Sequence, residues 1–113
     1  MENTRYFHLV GTGPKPGREN EYNAWYNEHV TILFEFKGLK KATRLRLDEP
    51  YGPNGEKSPQ YVTIYEFEKR EDFHDFCNSP TMDIANRHYD MQGRPVSEIY
   101  WAGGYESLTI LER

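Results

Sequence analysis

Polar and apolar positions change rhythm along this chain, from every second residue to every third or fourth and back. In "RYFHLVG", residues 5 to 11, Tyr6, His8 and Val10 alternate with Phe7 and Leu9 up to a glycine, which predicts a strand. The following "GTGPKPGREN" holds two prolines and three glycines and is expected to be a loop. A helix is predicted from about Glu19 to Phe36, with Glu19 and Glu21 in the first turn, where acids suit the macrodipole, and Gly38 at its end. "KKATRLRL" (residues 40–47) and "QYVTIYEFE" (residues 60–68) return to alternation and predict two strands, joined by a proline- and glycine-rich hairpin loop. A second helical region starts near Glu71 and places Phe73, Phe76 and Cys77 on one stripe. "NSPTM" interrupts it, because Ser79 is a good cap and Pro80 a good first residue for a new helix bearing Met82, Ala85 and Tyr89. After "MQGRP" a last strand is expected between Val96 and Leu111, with a bulge or break at Gly103-Gly104.

The order β-α-β-β-α-β predicts an α+β, ferredoxin-like domain over residues 1–113, a four-stranded antiparallel sheet with its helices on one face. The other sheet face then needs a cover, and a second copy of the chain would supply one. Nine Tyr and six Phe in 113 residues point the same way, since a polar chain with a few large rings gains by pairing. A homodimer is expected.

One stretch of the first helix departs from a plain core pattern. In "EYNAWYNEHVTILFEF", residues 21 to 36, Tyr22, Trp25, Tyr26, His29, Ile32, Leu33 and Phe36 fall at steps of three and four. A histidine in the middle of that face is either a packed core residue, bonded to Tyr65 or to a backbone carbonyl, or it looks into a cavity. An imidazole in a cavity titrates near neutrality and can move a proton either way. Tyr22, Trp25 and Tyr26, with Tyr65, Phe67 or Trp101 from the strands, then form walls for a flat, apolar ligand, although each taken singly is an ordinary core residue. His88, on a face with Ile84 and Met91, is a second pocket candidate. His8 belongs either to the pocket or to the dimer interface, and His74 is expected in solvent. Arg44 and Arg46 share a strand face and can hold a carboxylate, with salt bridges at the sheet's rim the commoner use of such a pair.

Charge and composition remove other classes of function. The formal charge is −4 and the isoelectric point about 5.6, which gives no attraction for nucleic acid or anionic membrane. The third strand also lacks the basic, glycine-containing signature of RNA-recognition domains, which share this element order. "MENTRYFHLV" has no long apolar core of the signal-peptide kind, and no run is long enough to cross a bilayer, so a soluble cytoplasmic protein is expected. The single cysteine, Cys77, lies on the apolar stripe and is read as packing. No metal is expected, because no two histidines sit three to five residues apart and Glu28 projects away from His29 on a helix. "GTGPKPG" lacks both phosphate-loop spacings.

Beside this reading, "PKPGRENEYNAWYNEHV" followed by "FKGLKKATRLRL" resembles the first half of the EthD-like branch of the dimeric α/β-barrel superfamily. Trp25-Tyr26, with His29 four residues after the tryptophan, is the distinctive segment. "EDFHDFCNSPTM" is similar to the superfamily's second helix. The resemblance implies two subunits packed sheet to sheet, each with a pocket between helices and sheet. Members of the superfamily include cofactor-independent monooxygenases, polyketide cyclases, decarboxylases, lactone isomerases, haem-degrading enzymes and proteins with no known reaction, among which fold does not select. The expectation is therefore a cofactor-free enzyme for a small aromatic or polyketide-like molecule, with His29 as its acid or base. A non-catalytic binding or assembly module is the alternative.

Overall fold

The computed structural model describes residues 4–113. Its elements are β1 (Tyr6–Pro14), α1 (Glu19–Leu33), β2 (Leu39–Arg46), β3 (Tyr61–Phe67), α2 (Arg70–Cys77), α3 (Pro80–His88) and β4 (Ser97–Glu106). The strands form one antiparallel sheet in the order β2-β3-β1-β4, the ferredoxin-like topology. Alternation along β3 sorts the two faces: Tyr61, Thr63, Tyr65 and Phe67 are buried, and Val62, Ile64 and Glu66 only partly so. The buried set meets the helices, since Tyr65, Phe67, Val10 and Leu39 share one core with Leu33 of α1, Phe76 of α2 and Ala85 of α3. A second cluster joins Tyr22, Trp25 and Tyr26 to Tyr61 and Val96. The helical layer is therefore docked by rings, which remove large apolar areas from water at few positions.

Local signals account for most boundaries. The Ser79 hydroxyl accepts from the Met82 backbone N–H at 3.1 Å, and Pro80 opens α3, so the chain breaks between α2 and α3 where the cap chemistry says it should. Helix α1 ends at Leu33 rather than Phe36, because its last turn tightens: the Glu35 and Phe36 N–H groups donate to carbonyls only three residues back.

Three features differ from the expectation. Strand β1 runs on to Pro14, through residues that read as loop. Gly11 and Gly13 are there for close approach, not for a turn: a Cβ on Gly11 would lie 2.7 Å from the Trp101 indole, and one on Gly13 2.5 Å from the Tyr100 hydroxyl. The bulge in β4 is not at Gly103-Gly104. The register shifts where Ile99 pairs with Thr12 and Trp101 with Gly11, which leaves Tyr100 as the extra residue. Strand β4 also ends at Glu106, short of the Leu111 expected, after a π-helical turn over Tyr89–Gly93.

Candidate functional site

Helices α1 and α3 and the sheet border a half-open cavity of about 320 Å³, at the small end of the range for ligand pockets. Trp25, Tyr26, His29 and Leu33 line it from α1, and Met82 and Asn86 from α3. From the sheet come His8, Val10 and Thr12 of β1, Tyr65 of β3, and Ser97, Ile99 and Ala102 of β4, and Phe76 of α2 and Tyr89 complete the lining. Most of this lining is apolar, with a few polar groups set into it.

His29 stands in that wall half-buried. The Trp25 indole stacks on its ring at 4.6 Å between centroids, and the Tyr26 ring meets it edge-on at 6.0 Å. Neither nitrogen reaches Tyr65 or a backbone carbonyl; instead Nδ1 lies 3.2 Å from Nδ1 of His88, and Nε2 has no partner among the described residues. His88 in turn sets Nε2 3.2 Å from Glu28 Oε1. Helix geometry does turn Glu28 away from His29, but α3 inserts His88 between them, so the carboxylate and both rings form one chain. His88 is buried in its side chain while Glu28 is mostly exposed, so the chain runs from the cavity to the surface. Burial, and next the charge of His88, hold the His29 imidazole down at about 4.

A second histidine faces the same cavity from the sheet. His8 stacks on Tyr65 at 5.7 Å, and its Nδ1 lies 3.3 Å from the Gly103 carbonyl, so Nδ1 carries the proton and donates. Burial lowers its pKa too. Tyr65 is almost wholly buried; that burial, and then the neighbouring Tyr26 hydroxyl, keep its phenol well above the usual range.

The other residues singled out from the sequence fall as follows. Tyr22 does not line the cavity. It sits behind the wall, sharing a 2.5 Å hydrogen bond with the Thr12 hydroxyl, and burial pushes its phenol up to about 12. Trp101 lies on the opposite sheet face against Gly11, because the bulge at Tyr100 changes the alternation between Ile99, which faces the cavity, and Trp101. Arg44 makes no salt bridge among the described residues. Its guanidinium lies over the Tyr26 ring at 4.6 Å and near Tyr22 and Tyr61, and donates to Asn23 and Asn27. His74 is exposed, and Cys77, expected to pack, is exposed as well because α2 turns only Phe76 fully inward. Among the described residues no three metal-ligating side chains converge, and no helix is long and apolar enough to cross a membrane.

Sequence reasoning missed Thr12, Asn86 and Ser97 as polar wall groups, and Glu28 as a partner of a histidine. It also passed over Gly93, in the π-helical turn, whose lack of a side chain makes room for the Trp25 ring: a Cβ there would overlap the indole. Gly93→Ala should displace Trp25 and cost about 1–3 kcal/mol of stability, as overpacking of a close-fitted site does. Denaturant unfolding together with tryptophan fluorescence measures this; unchanged stability and emission would show that the indole has room to move.

No protein-family model matches the sequence, and comparison with curated proteins finds no match. Solved structures do match. SnoaB, a cofactor-independent oxygenase from Streptomyces nogalater, superposes with a TM-score of 0.63 at 14% identity, over 98% of this chain and 97% of its own. An EthD-family protein from Bacillus halodurans gives 0.62 at 10%, over 95% and 99%. A dimeric protein with a ferredoxin-like fold from Bacteroides fragilis gives 0.62 at 11%, over 94% and 98%. At such identities the likeness is one of architecture: this chain has a ferredoxin-like fold, matched over nearly its whole length.

Proposed function

We propose that the protein is a cofactor-independent enzyme for a small aromatic or polyketide-like molecule, with His29 taking a phenolic or enolic proton from the substrate. One observation carries this reading: an imidazole stands in the wall of a largely apolar, half-open cavity with one nitrogen tied to His88 and the other without a partner among the described residues. At neutral pH the depressed pKa leaves His29 uncharged, the form that accepts a proton. The rings of Trp25, Tyr26 and Tyr65 give a planar ligand apolar walls, while Asn86, Ser97 and Thr12 offer polar contacts to orient it. Removing the proton leaves an electron-rich anion able to react with dioxygen, close a ring or lose carbon dioxide. The fold's likeness to a cofactor-independent oxygenase supports the oxygenation route.

The test is turnover of a panel of naphthols and anthrones, followed by absorbance and oxygen uptake, with native protein and His29→Ala side by side. Binding of these compounds without turnover by the native protein would point to a non-catalytic binding module instead.

We also propose that the working unit is a homodimer formed through the sheet face away from the helices. Phe7, Leu9, Val62 and Ile64 share that face by register with Leu45, Trp101 and Tyr105, of which the last three remain exposed. An apolar sheet face of this extent is an association surface. Light scattering should give twice 13.4 kDa, and Leu9→Arg should halve it. A native mass of one chain at high protein concentration would refute the dimer.

A further inference from the structure

The chain of groups behind His29 has a direction that the base role alone does not require. We propose that Glu28, His88 and His29 form a proton path from the cavity to the surface of the helical layer, in which Glu28 and His88 are positioning residues that hold His29 as its Nδ1–H tautomer. This rests on the reading of His29 as the group that meets the substrate.

The argument is one of hydrogen-bond bookkeeping. A carboxylate only accepts, so the 3.2 Å contact between Glu28 Oε1 and His88 Nε2 places a proton on Nε2. In the neutral ring His88 Nδ1 is then bare and must accept, which requires His29 Nδ1 to donate across the next 3.2 Å. His29 Nε2 is left as the lone-pair nitrogen. Two neighbouring histidines would otherwise exchange tautomers freely, and the exposed acid at the far end is what sets the order.

Transfer along the path balances without leaving a positive charge on either ring; the negative charge stays on the substrate anion. Substrate O–H gives its proton to His29 Nε2, His29 Nδ1–H passes its own to His88 Nδ1, and His88 Nε2–H passes its own to Glu28, which releases it to water. Each ring gains one proton and loses one, so no imidazolium persists beside Trp25, where burial opposes it. Afterwards the tautomers are reversed: His29 holds its proton on Nε2, and the path is set to run inward. One outward pass thus prepares the return of a proton to product, which suits reactions that remove a proton from one atom and replace one at another. The groups facing this path are His8 and Tyr65 across the cavity, Tyr26 on α1 and Tyr89 beyond α3; Glu35 shares with Glu28 the outer groove between α1 and α3.

Imidazole ¹⁵N spectroscopy on the ligand-free protein at pH 7 tests this without any activity. The expected result is His29 protonated on Nδ1 and bare on Nε2. In Glu28→Gln, whose amide can present either its oxygen or its nitrogen to His88, the Nδ1–H share of His29 should fall from nearly the whole population toward an even mixture. Glu28 is largely exposed, so this variant keeps its fold, and Glu28→Ala is a second check. His29 found with its proton on Nε2, or unmoved by both substitutions, overturns the path. Titration with 4-nitrophenol, read from its absorption, separates this from the reading it rests on. Tautomer control without a bound phenol leaves the path standing and removes the phenol substrate; a bound phenolate with His29 indifferent to Glu28 does the reverse.

Discussion

Replacing His29 by alanine is expected to slow turnover of a phenolic substrate by about 10²–10⁴-fold, the usual contribution of a positioned acid or base, while the protein stays folded. The residue is half-buried, and its loss removes one stacked ring from Trp25 and one hydrogen bond to His88. A second readout separates lost chemistry from lost packing. The folded chain holds the His29 imidazole down at about 4, against 6.5 for the ordinary group, so the unfolded chain binds a proton that the folded chain refuses. Above about 6.5 both states are neutral at this site and it contributes no pH dependence; as pH falls from there toward about 4, stability falls with it. The alanine variant should lose that part of the slope, while His8, lowered by burial in the same way, keeps its own share. Melting temperatures of both proteins between pH 7 and pH 4 decide this. Parallel curves would mean that His29 is not the buried neutral base described here, whatever becomes of activity.

Truncating Phe76 to alanine is expected to cost about 3–5 kcal/mol, the range for a large aromatic removed from a packed interior. Against a net stability of about 5–15 kcal/mol for a domain of this kind, that brings the protein near its unfolding threshold. Phe76 is fully buried, with its ring 5.1 Å from Phe67, 5.4 Å from Phe36 and 6.2 Å from Tyr65. Together with Phe73, whose ring meets Tyr6, His8 and Phe67, it holds the short helix α2 to the sheet, and it also lines the cavity. The void left behind therefore joins the cavity rather than collapsing, which keeps the cost high. A drop in the urea midpoint with an unchanged slope would bear this out. A loss under about 1 kcal/mol would mean that α2 shifts inward to fill the space, and that the cavity wall there is soft.

What was legible beforehand follows from how local each cause is. The strand at residues 60–68 could be read from alternation alone, because one face of β3 is buried and the other only partly so. The break before α3 could be read from Ser79-Pro80, because a cap acts over three residues. Gly11, Gly13 and Gly93 could not be assigned, since a glycine needed for close approach to a distant ring looks the same in one dimension as a glycine needed for a turn. Trp101 was misplaced for a related reason: one extra residue in β4, visible only in its pairing with β1, moves its ring to the far face.

The amino-acid sequence by itself determined the element order, the capping of α3 and the ring-rich face of α1 that carries His29, all of them consequences of neighbours within a few residues. Only the tertiary structure decided what that histidine touches. Glu28 and His88 are sixty positions apart, and their meeting depends on how α3 docks against α1, a matter of packing between surfaces that no local period encodes.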